Sequence, residues 1–193
     1  SGESGAVIAR WDFSRDIDRN AIRDVSGGGR DGTLVNQPLR GTTGHIWKDG
    51  SGNWRQQPDR YAAIHFHSDD LADADWTPSL TWKLPETLPS GIYAVRLRKG
   101  KAEDRVPFFV RPVGRASAKI AFLVPTATYL AYANDHQAFD KVRPERSIAR
   151  PIVLQPQDIH LHLNRDLGLS LYDRHEDGSG VHFSSRRRPV LTM

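Results

Sequence analysis

The chain has 193 residues and a formal net charge of +4, from 27 lysines and arginines against 23 aspartates and glutamates. It contains no cysteine, which excludes disulfides and thiolate metal sites and fits a cytoplasmic location. No apolar run of about 18 residues is present, so we predict no membrane-spanning helix. The basic residues are scattered apart from Arg186, Arg187 and Arg188, and this argues against nucleic-acid binding. We interpret that triplet as a solvated loop or an interface.

The first part of the chain predicts short strands separated by glycine and proline turns. AVIARWDF at residues 6–13 predicts a strand, and a second, short one follows at Gly32–Asn36. Further strands are predicted at 61–67 (YAAIHFH), 79–85 (SLTWKLP), 91–100 (GIYAVRLRKG) and 104–112 (DRVPFFVRP). This regular spacing is typical of a β-sandwich, which we place at residues 58–113.

The pattern changes after Arg115. AKIAFLVPTAT at residues 118–128 predicts a strand buried on both faces, as in a parallel sheet. TYLAYANDHQAF then predicts a helix with Thr128 as its N-cap. A buried strand that leads into a helix opens an α/β domain, but only RPIVLQ and VHFSS remain as further strand candidates. Apolar extended stretches also lie close to both ends, so we expect a section of a longer polypeptide.

Two sets of histidines are candidate metal ligands. In AIHFHSDDLADADW, residues 63–76, His65 and His67 share one face of a predicted strand and are followed by carboxylates. A hydrogen-bonded strand end with a capped acidic turn explains the same pattern and is favoured, because no third histidine lies nearby. The second set would suit a zinc hydrolase, although its spacing matches no zinc signature: His136, His160, His162, His175 and His182.

The tyrosines offer a different chemistry. A phenol has a pKa of about 10 and becomes a ligand only where a strong Lewis acid displaces its proton. A converging pair would therefore suggest iron(III), although core packing is the favoured role of Tyr129, Tyr132 and Tyr172 on the residues alone. No phosphate-binding loop, dinucleotide fingerprint, nucleophile elbow or HExxH zinc motif is present.

A set of collinear segments resembles the large subunit of N,N-dimethylformamidase. They are VIARWDFSRDI, DGTLVNQPLRGTTGHIW, YAAIHFHSDDLADADW, LPSGIYAVRL, VPFFVRP and FLVPTATYLAYAN. The resemblance implies an internal section that is mainly β with an α/β C-terminal part. It assigns residues 1–57 to the end of a laminin-G-like jelly-roll region, 58–115 to a small β-sandwich and 116–193 to the truncated start of an α/β catalytic domain.

The resemblance also implies a site. The family is an amidohydrolase with mononuclear iron(III) held by two tyrosines and a glutamate, and its AYN and SLY elements correspond here to residues 131–134 and 170–172. Tyr132 and Tyr172 are therefore the expected iron ligands. An alanine inserted before Asn134 leaves Tyr129 as the fallback for Tyr132. The glutamate and the acid–base residues are expected beyond Met193.

The resemblance further implies hydrolysis of N,N-dimethylformamide, or a similar small neutral amide, to an amine and formate. The expected partners are the remainder of the large subunit and a small partner subunit in a hetero-oligomer, with no nucleic acid and no membrane. The isolated section is expected to be inactive. The alternative is a non-catalytic β-sandwich that binds sugar or protein through exposed tryptophans such as Trp47, Trp54 and Trp76.

Overall fold

The computed structural model describes residues 6–48, 52–114, 118–136, 151 and 153–192. These residues form seven strands and few helical turns, so the prediction of a mainly β chain is confirmed. The contacts divide the chain into one compact unit of Ser1–Asp75 with Pro125–Met193 and a second of Trp76–Val124. The predicted domains 1–57, 58–115 and 116–193 have other boundaries and stay a prediction.

The first unit contains two small antiparallel sheets. Strands β1 (Trp11–Asp12), β2 (Ala21–Asp24) and β3 (Gly32–Thr33) pair in that order. Strands β4 (Leu39–Thr42) and β5 (Ala63–His65) form the other sheet. The strands predicted at 6–13 and 32–36 are therefore shorter than expected. The strand predicted within 61–67 forms, but its partner is β4 and not a strand of the predicted sandwich.

Arg40, at the second position of β4, fixes the loop between β1 and β2. Its guanidinium donates to the carbonyl oxygens of Arg19 at 2.9 Å, Phe13 at 3.1 Å and Arg15 at 3.0 Å. Burial lowers the pKa of Arg40, and the negative charges of nearby aspartates partly offset that effect. One cation therefore satisfies three carbonyl groups that no strand pairs in this loop.

The second unit is built on a long hairpin of β6 (Gly91–Lys99) and β7 (Ala102–Val110). Nine residue pairs run from Gly91 opposite Val110 to Lys99 opposite Ala102. Gly100, at φ +61°, occupies the left-handed conformation that the tight connection requires. Both strands match the predictions for this region. Residues 79–85 form no strand. Trp82 in this segment makes an edge-to-face contact with Phe108, with ring centroids 6.1 Å apart.

Two α-helices lie in the described part of the first unit's C-terminal half: α1 (Thr126–Tyr132) and α2 (Pro156–Leu163). The N-cap of α1 is Pro125 and not the predicted Thr128. A capping box of Gln155 and Asp158 starts α2. Residues 137–139, the predicted continuation of the helix after α1, lie outside the described residues.

The buried strand predicted at 118–128 does not form, and its last three residues belong to α1. Ile120, Phe122 and Leu123 are exposed, and no described residue pairs with this segment. A strand needs a neighbour for its N–H and C=O groups, and an apolar run does not supply one. The described residues of 150–155 and 181–185 are likewise not strands. No described helix is both long and apolar enough to cross a membrane.

Replacing Arg40 should loosen the loop between β1 and β2. In Arg40→Met the carbonyls of Phe13, Arg15 and Arg19 lose their donor, so amide exchange across residues 13–19 should accelerate about 10-fold or more. Hydrogen exchange with mass spectrometry measures this. Arg55→Met, which removes a cation stacked on the adjacent Trp54, is the control. Unchanged exchange at 13–19 would contradict the assigned role of Arg40.

Candidate metal centre at a tyrosine pair

Tyr132 and Tyr172 lie side by side in the first unit. Their ring centroids are 4.2 Å apart and their planes are 20° from parallel. The side chain of Tyr172 is hydrogen-bonded to that of Tyr132. The two residues are 45% and 60% exposed, so the pair is open on one side and is not a core contact. The two predicted iron ligands are therefore brought together, while their role as ligands stays a prediction.

Tyr132 is placed by the end of α1. It is the last residue of the helix, and the chain then turns through Asn134, which has φ +62° and is fully buried. The Asn134 amide donates to the carbonyls of Gly168 at 3.2 Å and Pro189 at 2.8 Å, and its oxygen accepts from the Leu191 N–H at 2.9 Å. These bonds fasten the helix end to two distant segments.

Tyr172 is placed by Ser170, which is also fully buried. The Ser170 hydroxyl donates to the Ala131 carbonyl at 2.7 Å and accepts from the Tyr172 N–H at 3.1 Å. The Leu171 N–H donates to the same Ala131 carbonyl at 3.0 Å. The Ala131 carbonyl, in the last turn of α1, thus fixes the position of the turn that carries Tyr172 relative to Tyr132.

Asp173 and His136 also stabilise the turn that carries Tyr172. Asp173 Oδ2 accepts from the Ser170 N–H at 3.0 Å and lies 2.7 Å from Nδ1 of His136. The second ring nitrogen of His136 lies 3.1 Å from the Leu161 carbonyl. The hydrogen bond with Asp173 is the main cause of the raised pKa of His136, against the opposing effect of burial.

Arg188 is hydrogen-bonded to both segments that carry the tyrosines. Its guanidinium donates to the carbonyls of Gly168 at 2.7 Å and Ala133 at 3.2 Å, and only 5% of the residue is exposed. Gly168 has φ +93°, and a Cβ on it would lie 2.7 Å from Cδ of Arg188. The interpretation of the arginine triplet as a solvated loop is therefore wrong for Arg188. It fits Arg187, which is exposed and paired with Asp73 at 2.6 Å.

The hydrogen bond with Tyr172 raises the pKa of Tyr132, with smaller contributions from the charges of Tyr172 and Asp135 and from burial. The Tyr132 phenol accordingly keeps its proton at neutral pH. Phenol hydroxyls become phenolate ligands only for a strongly acidic metal ion. The chemistry of the donor set fits a hard trivalent cation such as iron(III).

The remaining predicted ligands are distributed differently. Tyr129 lies one turn before Tyr132 on α1 and is 40% exposed, and its part as a fallback ligand stays a prediction. The two groups of three histidine or acidic side chains that come together in the described residues contain no glutamate. The glutamate ligand, expected beyond Met193, stays a prediction.

The five-histidine zinc site is not assembled. Of its members, the structure brings only His175 into a group of potential ligands in the described residues. His160 and His162 lie on α2, where residues two apart point about 200° away from each other around the axis. Both ring nitrogens of His136 are already in hydrogen-bond contact, one with the Asp173 carboxylate and the other with the Leu161 carbonyl.

His65 and His67 lie at the end of β5, with ring centroids 4.1 Å apart. The His67 N–H donates to the Asp70 carboxylate at 3.0 Å, as the capped-turn interpretation predicts. Both rings also reach a distant segment, since Nε2 of His65 lies 2.8 Å from Asp177. That contact was not predicted from the sequence.

The tryptophans predicted for sugar stacking do not form one exposed platform. Trp47 is half-buried against Tyr61, with ring centroids 5.3 Å apart. Trp54 is also half-buried and carries the Arg55 guanidinium 4.3 Å above its ring. Trp76 is exposed but belongs to the second unit.

The fold and the paired phenols define a mainly β protein with a candidate centre of oxygen ligands. The chain belongs to the N,N-dimethylformamidase beta subunit-like family, because the C-terminal model of that family matches residues 40–193. It is 43% identical over 199 residues to the N,N-dimethylformamidase beta subunit of Paracoccus aminophilus, covering 99% of this chain and 26% of the relative. It is 41% identical over 194 residues to that of an Alcaligenes species, covering 96% and 25%. The chain thus spans about a quarter of the length of the curated relatives it matches.

Asn134 should be the most sensitive position of the site's support. In Asn134→Ala three buried hydrogen bonds are lost and a side chain remains at positive φ, so the free energy of unfolding should fall by about 3 to 5 kcal/mol. Asn134→Gly relieves the strain and should recover about 1 kcal/mol. Urea unfolding measures both. Asn164→Ala, which removes one exposed bond to the His160 carbonyl, is the matched control and should cost under about 1 kcal/mol. Equal costs at 134 and 164 would contradict this account.

The pair of His136 and Asp173 should make stability depend on pH. Because the pKa of His136 is raised in the folded state, its contribution is fully present below about pH 6.5 and is lost as pH rises through the raised value. The difference in urea midpoint between the parent and His136→Gln should therefore shrink as pH increases across that window. His45→Gln, at an exposed site, provides the comparison. A difference that grows with pH would refute the assignment.

Proposed function

We propose that this chain is a section of the large subunit of an iron-dependent amidohydrolase, and that it supplies Tyr132 and Tyr172 as two ligands of a mononuclear iron(III). The substrate is N,N-dimethylformamide or a similar small neutral amide, hydrolysed to an amine and formate. The observation that carries the proposal is the stacked, hydrogen-bonded tyrosine pair. The two phenols come from segments that Ser170 joins across 39 residues of sequence.

The hydrogen bonds that position the tyrosine pair favour a functional site over incidental packing. Ser170, Asn134 and Arg188 are buried polar side chains whose hydrogen bonds converge on the two segments that carry the tyrosines. Such groups are costly to bury unless they are satisfied, and here they hold two half-exposed rings at a fixed separation. A pair of tyrosines that served only as apolar packing would not need this frame.

The two phenols would hold the metal, with a glutamate from the remainder of the subunit as the proposed third ligand. A bound iron(III) supplies Lewis acidity that polarises the amide carbonyl and activates water. The residues of this chain hold the two phenols side by side and partly exposed, so that a substrate could reach them. Residues that give a proton to the departing amine are proposed to lie in the remainder of the subunit.

The partners follow from the same comparison. Both curated relatives are named as beta subunits, which supports a hetero-oligomer that includes a small partner subunit. In the second unit, Val113, Ile120 and Leu123 are highly exposed, as expected of apolar surface that other parts of an assembly cover. The laminin-G-like origin of the first residues, the α/β catalytic domain and a cytoplasmic location are parts of this proposal.

Substitution of each tyrosine in the full-length subunit tests the proposal. Tyr132→Phe and Tyr172→Phe should each lower bound iron to under about a tenth, abolish the visible tyrosinate–iron(III) charge-transfer absorption and reduce dimethylamine release about 100-fold or more. Metal analysis, absorption spectroscopy and an amine assay measure these effects. Tyr129→Phe, one helical turn away, should retain iron, colour and activity.

Two results would decide against the proposal. The first is a colourless, iron-free enzyme with full activity. The second is an enzyme in which Tyr129→Phe loses iron while Tyr132→Phe retains it, because that result would move the ligand one turn back along α1.

A further inference from the structure

A second group of potential ligands lies away from the tyrosine pair. His67, Asp70 and His175 offer ligand atoms that all lie within 4.8 Å of one another. Their side chains are 5%, 9% and 2% exposed, so the group is buried in the first unit. Two of the residues follow β5, and the third comes from the segment after Tyr172. The contact of Asp69 with His175 joins positions 106 residues apart.

The hydrogen bonds of the two imidazoles leave their inner nitrogens free. Nε2 of His67 lies 2.9 Å from the Ser179 hydroxyl, and Nδ1 of His175 lies 2.5 Å from Oδ1 of Asp69. The other nitrogens, Nδ1 of His67 and Nε2 of His175, are buried with no hydrogen-bond partner. Buried polar atoms in native proteins rarely lack a partner, so these two call for a ligand.

The carboxylate of Asp70 lies beside both free nitrogens without bonding to either. Oδ2 is 3.4 Å from Nδ1 of His67, and Oδ1 is 3.8 Å from Nε2 of His175. These separations are long for hydrogen bonds. They are close to the spacing of about 3.4 Å between ligand atoms around a tetrahedral ion with bonds of 2.0–2.1 Å.

The charge of the group also favours a cation. Two nearly buried carboxylates, Asp69 and Asp70, face two imidazole rings that are stacked 3.5 Å apart and within 2° of parallel. The Arg165 guanidinium lies 3.9 Å from Oδ2 of Asp69 and is a third exposed, so it offsets only part of the negative charge.

We propose that His67, Asp70 and His175 bind a divalent transition-metal ion of the zinc class, with Asp69 as the carboxylate that orients His175. Imidazole and carboxylate ligands suit such ions. The Asp69–His175 bond reproduces the carboxylate–histidine–metal arrangement, in which the outer nitrogen holds the proton and the inner nitrogen faces the metal. A cavity of about 10 Å³, room for about one water, adjoins the group and is lined in part by Asp69, Asp70 and His175.

Binding requires the two stacked rings to reorient. The lone pairs of parallel stacked imidazoles point along parallel planes, so at least one ring must tilt before both nitrogens can face one ion. The alternative set of His65, His67 and Asp177 would use Nε2 of His67, which Ser179 already occupies, and its other two side chains are more than two-fifths exposed. The buried set is therefore the better site.

The ion would have a structural role. It would link the turn after β5 to the segment that contains His175. This site uses other side chains than the tyrosine pair, so the two proposals can fail independently.

Zinc loading of the full-length protein tests the proposal. The protein is stripped with a chelator, reloaded with zinc alone and analysed for zinc and iron, with X-ray absorption to identify the zinc ligands. About one zinc per chain with two histidines in its shell is expected. His175→Gln should abolish this binding, and Asp69→Asn, which keeps all three ligands, should weaken it about 10- to 100-fold. His162→Gln, an exposed histidine on α2, should bind zinc as the parent does.

The outcomes separate the two sites. Tyr132→Phe should lose iron and keep zinc, whereas Asp69→Asn should weaken zinc binding and keep the iron colour. A folded protein that keeps its iron but takes up no zinc overturns this proposal and leaves the tyrosine site standing. Zinc binding that is unchanged in both His175→Gln and Asp69→Asn overturns it as well. If His175→Gln does not fold, Asp69→Asn alone carries the decision.

Discussion

The need to satisfy buried polar groups at the end of α1 determines the arrangement of the first unit around the tyrosine pair. Helix ends leave carbonyl groups without partners, and here Ser170, Leu171 and Arg188 supply the missing donors. The same bonds set the position of Tyr172 relative to Tyr132. Removal of one donor would therefore change both the stability of the unit and the geometry of the candidate site.

Hydrogen bonds have this influence because the described apolar core is small. Its buried hydrophobic members are Ile17, Ile22, Leu34, Ala133, Leu161 and Leu169. Asn134, Ser170, His175 and Arg188 are buried as well, and each is bonded to a distant part of the chain. Hydrogen bonds between buried polar groups specify one arrangement more strictly than apolar contact does, since a displaced donor or acceptor is left unpaired.

The sequence predicted local features better than distant ones. The hairpin of β6 and β7 follows from alternating side chains and a glycine at the turn. The strand expected at 118–128 did not form, because an apolar run does not indicate where its hydrogen-bond partner lies. For Tyr132 and Tyr172, the residues alone favoured core packing. It was the resemblance to the family that identified the two tyrosines as a pair of ligands. The neighbouring sequence does not show that Arg188 is buried while Arg187 is exposed. It also does not show that His175 contacts Asp69. Both outcomes depend on tertiary contacts between distant segments.

The connections around Asn134 also constrain the order in which the unit can form during synthesis. Its N–H bonds to the Thr192 carbonyl, and its side chain bonds to Pro189, 55 residues further along the chain. Closing such long loops costs entropy that local contacts cannot offset. The hairpin of the second unit can form as soon as its own residues have left the ribosome, whereas the frame of the tyrosine pair must wait for residue 192. The candidate metal centre is therefore among the last parts of this chain to become ordered.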